Sequence, residues 1–289
     1  MKRRHLLSLS TAPLATSFAN QPHPPTPRPI PHPKSQISGA ARPALPPIIA
    51  HRGASHDAPE NTPAAFDLAW EQGADGIEGD FYLSADKQLV CIHDATTRRT
   101  ADRDLPVKGS TFDELHLLDV GAWKDPKFAG QRIVLLSQIL DSLPEDKLFF
   151  IELKSSAEAV PALVEALAGS PVPLAQLRLI SFHAAAIRAA KDALPDLACS
   201  WLTSLRSKDQ PLSAQAIIAT LEDCGADALG AKADLAILTP DYLASAADAG
   251  FPTHVWTVND PNQARACAEL GVASITTDRP AFVRAHLAT

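Results

Sequence analysis

Positive charge is in short supply: across 289 residues, 26 Lys and Arg face 33 Asp and Glu, for a formal charge of -7. A nucleic-acid grip needs clustered cations to replace phosphate counterions, so that class of partner is not expected. Cysteine is scarce too. Cys91, Cys199, Cys224 and Cys267 form no CxxC and no zinc-type spacing, which removes a metal ribbon and a dithiol redox motif. They read as buried thiols acting as small hydrophobes, with a disulfide such as Cys199 to Cys224 left open. Long apolar runs are absent as well. No segment reaches the roughly 18 to 20 apolar residues that span a bilayer, so stable membrane insertion is not expected.

What the chain has in quantity is proline, and unevenly: eleven of its 25 prolines precede Ile48. Residues 1–19 carry Lys2-Arg3-Arg4, then Leu6-Leu7 and a mildly apolar stretch to Ala19. This reads as an export signal, similar to the twin-arginine pattern, and places the protein in the periplasm or outside the cell. Residues 20–47 then read as an extended, solvated linker, because proline fixes φ and gives up a donor. His23 and His32 within it are read as solvated.

From Ile48 onward, short apolar runs alternate with Ala- and Leu-rich amphipathic segments, the signature of βα units. Expected strands are 48–50, 76–83, 148–153, 177–182, 198–202, 226–229, 253–258 and 274–276, enough for a (β/α)8 barrel over 48–289. Expected helices lie between them at 62–72, 157–167, 184–193, 214–223, 240–249 and 261–270. Residues 88–92 read as an extra strand, making 76–94 a hairpin. The stretch 100–136 is too long for a simple connection and reads as a small inserted subdomain after the hairpin, covering one mouth of the barrel.

Chemistry gathers at the ends of these strands. His51-Arg52-Gly53 follows the first, placing an imidazole and a guanidinium where barrel enzymes hold their catalytic groups, with Gly53 allowing close approach of a ligand. Glu78 and Asp80, two apart on a strand, face the same way. Paired inside a barrel they repel unless a cation sits between them. His93-Asp94 ends the hairpin, giving a second imidazole that with the first can serve as base and acid. Glu152 and Lys154 share one face at the end of a further strand, as a third oxygen ligand and a charge for phosphate. His183, after the 177–182 run, is placed to see the same mouth.

In order, His51-Arg52-Gly53, Pro59-Glu60-Asn61-Thr62, Glu78 with Asp80, His93-Asp94 with Arg99-Thr100, and Glu152 with Lys154 resemble the glycerophosphodiester phosphodiesterase family. Val255-Trp256-Thr257-Val258-Asn259 and Thr276-Thr277-Asp278-Arg279-Pro280 resemble its closing motifs, so the likeness spans Ile48 to Leu287. The resemblance implies a barrel enzyme that hydrolyses small-molecule glycerophosphodiesters to sn-glycerol 3-phosphate and an alcohol. It implies one divalent cation, calcium or magnesium, on Glu78, Asp80 and Glu152, and acid/base work by His51 and His93. It places Arg52 and Lys154 near phosphate, Glu60 and Asn61 in the supporting loop, and Trp256 in the pocket wall.

Two stretches depart from the family pattern. Ile133-Val134-Leu135-Leu136-Ser137-Gln138 stands where many members have I-P-T-L-E, and Asp86-Lys87 where Asp-Gly is usual. The first bears on the shape of the mouth and so on substrate size. Two other readings stay open: a phospholipase of the sphingomyelinase D or phosphatidylinositol-specific type on the same barrel, and a periplasmic protein that binds phosphodiesters without cleaving them.

Overall fold

Strands buried on both faces are near-continuous apolar runs, since helices cover one side and the barrel interior fills the other. The computed structural model describes residues 45–288. The expected export signal, and the Pro-rich stretch as far as residue 44, lie outside the described residues. Pro47 already belongs to the fold, its carbonyl accepting the Ile275 N–H at 3.0 Å.

In chain order come β1 (Ile48–Ala50), α1 (Pro63–Glu71), β2 (Gly76–Leu83), β3 (Leu89–Cys91), α2 (Phe112–His116), α3 (Leu136–Asp141) and β4 (Leu148–Leu153). Then follow α4 (Val160–Ala168), β5 (Leu177–Ser181), α5 (Ala184–Ala193), β6 (Ala198–Thr203) and a small hairpin of β7 (Arg206–Ser207) and β8 (Gln210–Pro211). The last part holds α6 (Ala214–Cys224), β9 (Ala228–Lys232), α7 (Pro240–Asp248), β10 (Thr253–Trp256), α8 (Pro261–Glu269), β11 (Ser274–Thr277) and α9 (Pro280–Leu287).

Strands β1, β2, β4, β5, β6, β9, β10 and β11 pair in parallel in that order, and β1 bonds both β2 and β11. The sheet therefore closes into an eight-stranded (β/α) barrel. Ile49, Phe150, Ile180 and Leu202 fill its interior below the mouth, while a larger apolar layer lies between strands and helices. Helix starts follow local chemistry. Thr62, Ser213, Thr239 and Asp260 cap free N–H groups, and proline takes an early position in α1, α7, α8 and α9, where its missing donor costs nothing. All four cysteines are free and buried, and among the described residues no helix is long and apolar enough to cross a membrane.

Strand β3 runs antiparallel on β2, with Phe81 opposite Cys91. In its turn Lys87 adopts φ +64°, the left-handed position that a short hairpin loop normally gives to glycine. Lys87→Gly is therefore expected to stabilise the protein, by about 0.5–1 kcal/mol given the left-handed cost for a side chain offset by backbone entropy. Urea midpoints of the two proteins check this, and an unchanged or lower midpoint would contradict it.

Residues beyond the hairpin build a small core of their own, with Val107, Leu115, Leu118, Val120 and Ile133 packed against Val90 and Ile92 of the β3 arm. Thr111 and Glu114 form a capping box that starts α2. Lys124 Nζ reaches Ser55 O at 2.8 Å, tying this subdomain to the loop after β1.

Candidate active site

The β1 strand ends in a turn that no ordinary residue pair adopts freely. Arg52 has φ +56° and Asn61 φ +58°, each costing about 1–3 kcal/mol outside glycine. Hydrogen bonds hold them there: Arg52 N–H donates to Glu78 Oε2 at 2.9 Å, and Arg52 O accepts from Asn61 N at 3.0 Å. Gly53 is required for a reason other than the expected ligand approach. A Cβ there would lie 2.5 Å from the Ala65 backbone carbon, so it lets the turn rest on α1.

On β2 and β4 the register sets Asp80 beside Glu152. Ligand oxygens of Glu78, Asp80 and Glu152 all lie within 4.8 Å of one another, and all three residues are buried. Their charges are only partly answered. Lys154 Nζ donates to Glu152 Oε1 at 2.7 Å and lies 3.2 Å from Asp80 Oδ1, while Arg52 Nε lies 3.1 Å from Asp80 Oδ2. Glu78 Oε1 and Asp80 Oδ1 have no hydrogen-bond partner. Burial, then the Asp80 charge, pushes the Glu78 carboxyl up to about 8. Burial acts on Asp80 in the same sense, but Lys154 and Arg52 outweigh it and hold Asp80 low. A crowded, half-satisfied set of oxygen donors is what a hard divalent cation completes, so these residues fit one.

Asn61 supports the set from behind, donating from Nδ2 to Asp80 Oδ2 at 2.8 Å and accepting the Asp80 N–H at 3.1 Å. Removing both bonds in Asn61→Ala leaves a buried carboxylate short of donors, at about 1.5–3 kcal/mol for the charged bond alone. Denaturant unfolding of the variant should show a loss of that size; a change below about 0.5 kcal/mol would mean that water replaces the amide.

Both imidazoles are backed by carboxylates. His51 Nδ1 lies 2.7 Å from Asp278 Oδ1, and His93 Nδ1 lies 2.7 Å from Asp94 Oδ1. Burial alone lowers the His51 pKa, but the Asp278 hydrogen bond and the Glu78 charge raise it above the usual value. His93 goes the other way, lowered by burial with help from the Arg52 and Lys154 charges. Arg99 links the remaining pieces, donating to Asp94 Oδ2 and through two nitrogens to Glu60, which also receives Arg52 Nη1. Glu60 and Asn61 thus brace the site and do not line it.

These groups open on one cleft of about 170 Å³, shared by His51, Arg52, Glu78, His93, Glu152 and Lys154 with an apolar side made by Phe150, Ile180, Leu202 and Trp256. Gly230 gives that side its room, since a Cβ there would meet Leu202 Cδ2 at 2.4 Å. His183 does not line the cleft. It is exposed at the start of α5, with Nε2 3.2 Å from Lys154 O. The preceding Phe182 faces the cleft in its place, edge-on to Trp256 at 5.4 Å. Neither 133–138 nor any other part of 100–136 contributes to the cleft lining. The altered stretch runs into the start of α3, where Gln138 Oε1 accepts the Leu135 N–H, so it lies outside the cleft walls.

Known proteins resemble this chain over nearly all of the described fold. The Bacillus subtilis protein YhdW is 33% identical over 242 residues, covering 82% of this chain and 96% of its own. A glycerophosphodiester phosphodiesterase of the same organism is 27% identical over 249 residues, covering 80% and 83%. Among solved structures, an Oleispira antarctica phosphodiesterase in complex with the product sn-glycerol-3-phosphate superposes with a TM-score of 0.75 at 28% identity, covering 85% of this chain and 98% of that one. A glycerophosphodiester phosphodiesterase from Agrobacterium tumefaciens gives 0.70 at 30% identity, covering 83% and 100%. The family model of glycerophosphoryl diester phosphodiesterases matches residues 51–282, and with two carboxylate-backed imidazoles, an acidic triad and two cations on one cleft, this chain belongs to that family.

Proposed function

We propose that this phosphodiesterase hydrolyses glycerophosphodiesters to sn-glycerol 3-phosphate and an alcohol in a cation-dependent reaction, with His51 and His93 as the acid/base pair. The observation that carries the reading is the buried Glu78 Oε1, which has no hydrogen-bond partner, beside Asp80 Oδ1, which meets Lys154 Nζ at 3.2 Å without a hydrogen bond, in a cleft that both imidazoles share. Glu78, Asp80 and Glu152 would hold the cation, which when bound offsets charge growing on the phosphate oxygens. An all-oxygen donor set favours calcium or magnesium over zinc, and calcium is the choice for an exported enzyme.

The chain's own groups do the rest. Arg52 and Lys154 turn from the carboxylates toward the phosphate, whose non-bridging oxygens gain charge in the transition state. One histidine takes the proton of the attacking hydroxyl, from water or from the glycerol hydroxyl beside the ester. As the P–O bond to the alcohol breaks, the other gives its proton to the leaving oxygen; where the glycerol hydroxyl attacks, the product is a cyclic phosphate, which water opens to sn-glycerol 3-phosphate in a second round of the same proton transfers. The apolar side at Phe182 and Trp256 excludes water from one flank of the diester.

Release of sn-glycerol 3-phosphate from glycerophosphocholine and glycerophosphoethanolamine, with calcium, with magnesium and with chelator, is the test. Release that needs a cation is expected. Lysophospholipids cleaved in preference to these diesters would replace the reading with the phospholipase one, and tight binding without product would replace it with capture alone. Export through residues 1–19 is part of the proposal, supported by Lys2-Arg3-Arg4 ahead of Leu6-Leu7. Cell fractionation with Arg3 and Arg4 changed to Lys checks it, with loss of the periplasmic pool expected.

A further inference from the structure

The two closing motifs, Val255 to Asn259 and Thr276 to Pro280, supply no metal ligand and no proton carrier, yet they end beside His51. Strands β10, β11 and β1 are consecutive neighbours in the barrel. Asn259 lies beyond the end of the first, Asp278 directly follows the second and His51 directly follows the third, with His51 N–H bonded to Thr277 O at 2.8 Å. Side chains cross these strand ends in one line. Asn259 Nδ2 donates to Asp278 Oδ2 at 2.5 Å, and Asp278 Oδ1 faces His51 Nδ1 at 2.7 Å. Ser55 Oγ donates to the same Oδ1 at 3.0 Å. Asn259 is itself oriented, since its Oδ1 accepts from Thr277 Oγ1 at 3.0 Å and from the Asp278 N–H at 2.9 Å.

The direction of every bond in this line follows from chemistry. Two groups that only accept, the Asn259 carbonyl oxygen and an ionised carboxylate, leave Asn259 Nδ2 and His51 Nδ1 as the donors. The Asp278 carboxyl is ionised at neutral pH: burial opposes this, but bonds from His51, Asn259 and Ser55 hold its pKa well below the ordinary range. His51 then carries its hydrogen on Nδ1, leaving Nε2, the nitrogen 4.0 Å from Glu78 Oε2, as the one that exchanges protons in the cleft. We infer that Asn259 and Asp278 are positioning residues for the reaction, a two-step relay that fixes the ring orientation and tautomer of His51. The inference rests on the acid/base role given to His51 above.

Substitution at 278 shows why both members matter. In Asp278→Asn one acceptor becomes an NH2. Turned toward His51, it forces Nδ1 to accept and puts the hydrogen on Nε2, the wrong tautomer. Turned toward Asn259, it sets donor against donor. Either way the relay fails, and loss of the carboxylate in a comparable histidine pair elsewhere lowers turnover by about 10⁴-fold with geometry intact. Asn259→Asp changes the other end. Combined with Asp278→Asn, its carboxylate accepts the new NH2, and the carbonyl oxygen of the amide introduced at 278 again accepts from His51 Nδ1 and Ser55. The double swap restores the tautomer that the single change destroys.

The experiment measures kcat and KM for glycerophosphocholine with wild type, Asp278→Asn, the double swap and His51→Ala, all with saturating calcium, alongside NMR of histidine labelled at its ring nitrogens. Expected are a fall in kcat of about 10²-fold or more for Asp278→Asn with KM nearly unchanged, recovery of about tenfold or more in the double swap, and His51 as the Nδ1–H form in wild type and swap. A double swap no faster than the single change, or Asp278→Asn within about threefold of wild type while His51→Ala is inactive, would overturn the relay alone. Full activity in His51→Ala would overturn the acid/base reading and the relay with it. A destabilised Asp278→Asn shows as a lowered Tm, and the swap against wild type still decides.

Discussion

Protein stripped of cations should keep no more than about a thousandth of its turnover, and restoring calcium should raise its Tm by about 5–10 °C. The first figure follows from Lewis-acid stabilisation of several kcal/mol, each 1.36 kcal/mol being about tenfold in rate. The second follows from linkage: a cation at about 100 times its Kd adds about 2.7 kcal/mol, and a domain of this size gains about 2–4 °C per kcal/mol. A pH signature accompanies it. In the cation-free protein burial, then Asp80, raises the Glu78 carboxyl from 4.5 to about 8, so between those values the folded state binds more protons than the unfolded one. Stability must then fall as pH rises through that window. A bound cation needs the deprotonated triad, so the loaded protein loses this slope. Glu78→Gln should weaken the slope, leaving the part due to Glu152, which burial and Asp80 also raise, and should abolish the response to calcium. Equal Tm and turnover with chelator and with calcium would show that the triad holds no functional ion.

Either imidazole removed as His51→Ala or His93→Ala should lower kcat by about 10²- to 10⁴-fold, the range for a general acid or base. If the two act as one unit, the double variant will be little slower than either single one, since the second group has nothing left to do. Additive losses would mean that they work on separate steps. Stability should fall for His51→Ala, which removes the 2.7 Å bond that helps to keep Asp278 ionised, and change less for His93→Ala, whose side chain is 31% exposed and whose partner Asp94 keeps its bond from Arg99. A variant that turns over normally takes its histidine out of the mechanism.

The barrel was largely legible because its strands are buried on both sides and announce themselves as apolar runs. Strand β9 was displaced most, expected at 226–229 and found at Ala228–Lys232, while β10 stops at Trp256, two residues short of the expected 253–258. Asp227, which the runs could not exclude, is spent outside the sheet on Lys191 and the Cys199 N–H, and Gly230-Ala231-Lys232 has no β-branched residue to mark a strand. Helices α3 and α9 and the short α2 were not among the expected elements, although Thr111 to Glu114 carries a capping box that could have found the last of these. At the site, alternation on a strand was enough to bring Glu78 to Asp80, and Glu152 to Lys154. It did not reach past the strand end, where a one-residue difference decides between Phe182 in the cleft and His183 outside it. Asp278 and Asn259 were visible as motif letters only; their partnership with His51 spans 227 residues in one case and is a fact of barrel closure.

That closure has an outcome during synthesis. Strand β1, which presents His51 and Arg52, bonds on one edge to β11, the last of the eight barrel strands in chain order. Until residue 278 emerges, the first strand has an unpaired edge and His51 has no carboxylate behind it. A nascent chain can assemble the triad from β2 and β4 early, yet His51 gains its carboxylate only after β11 has emerged, in a single step that joins the first and last strands of the barrel.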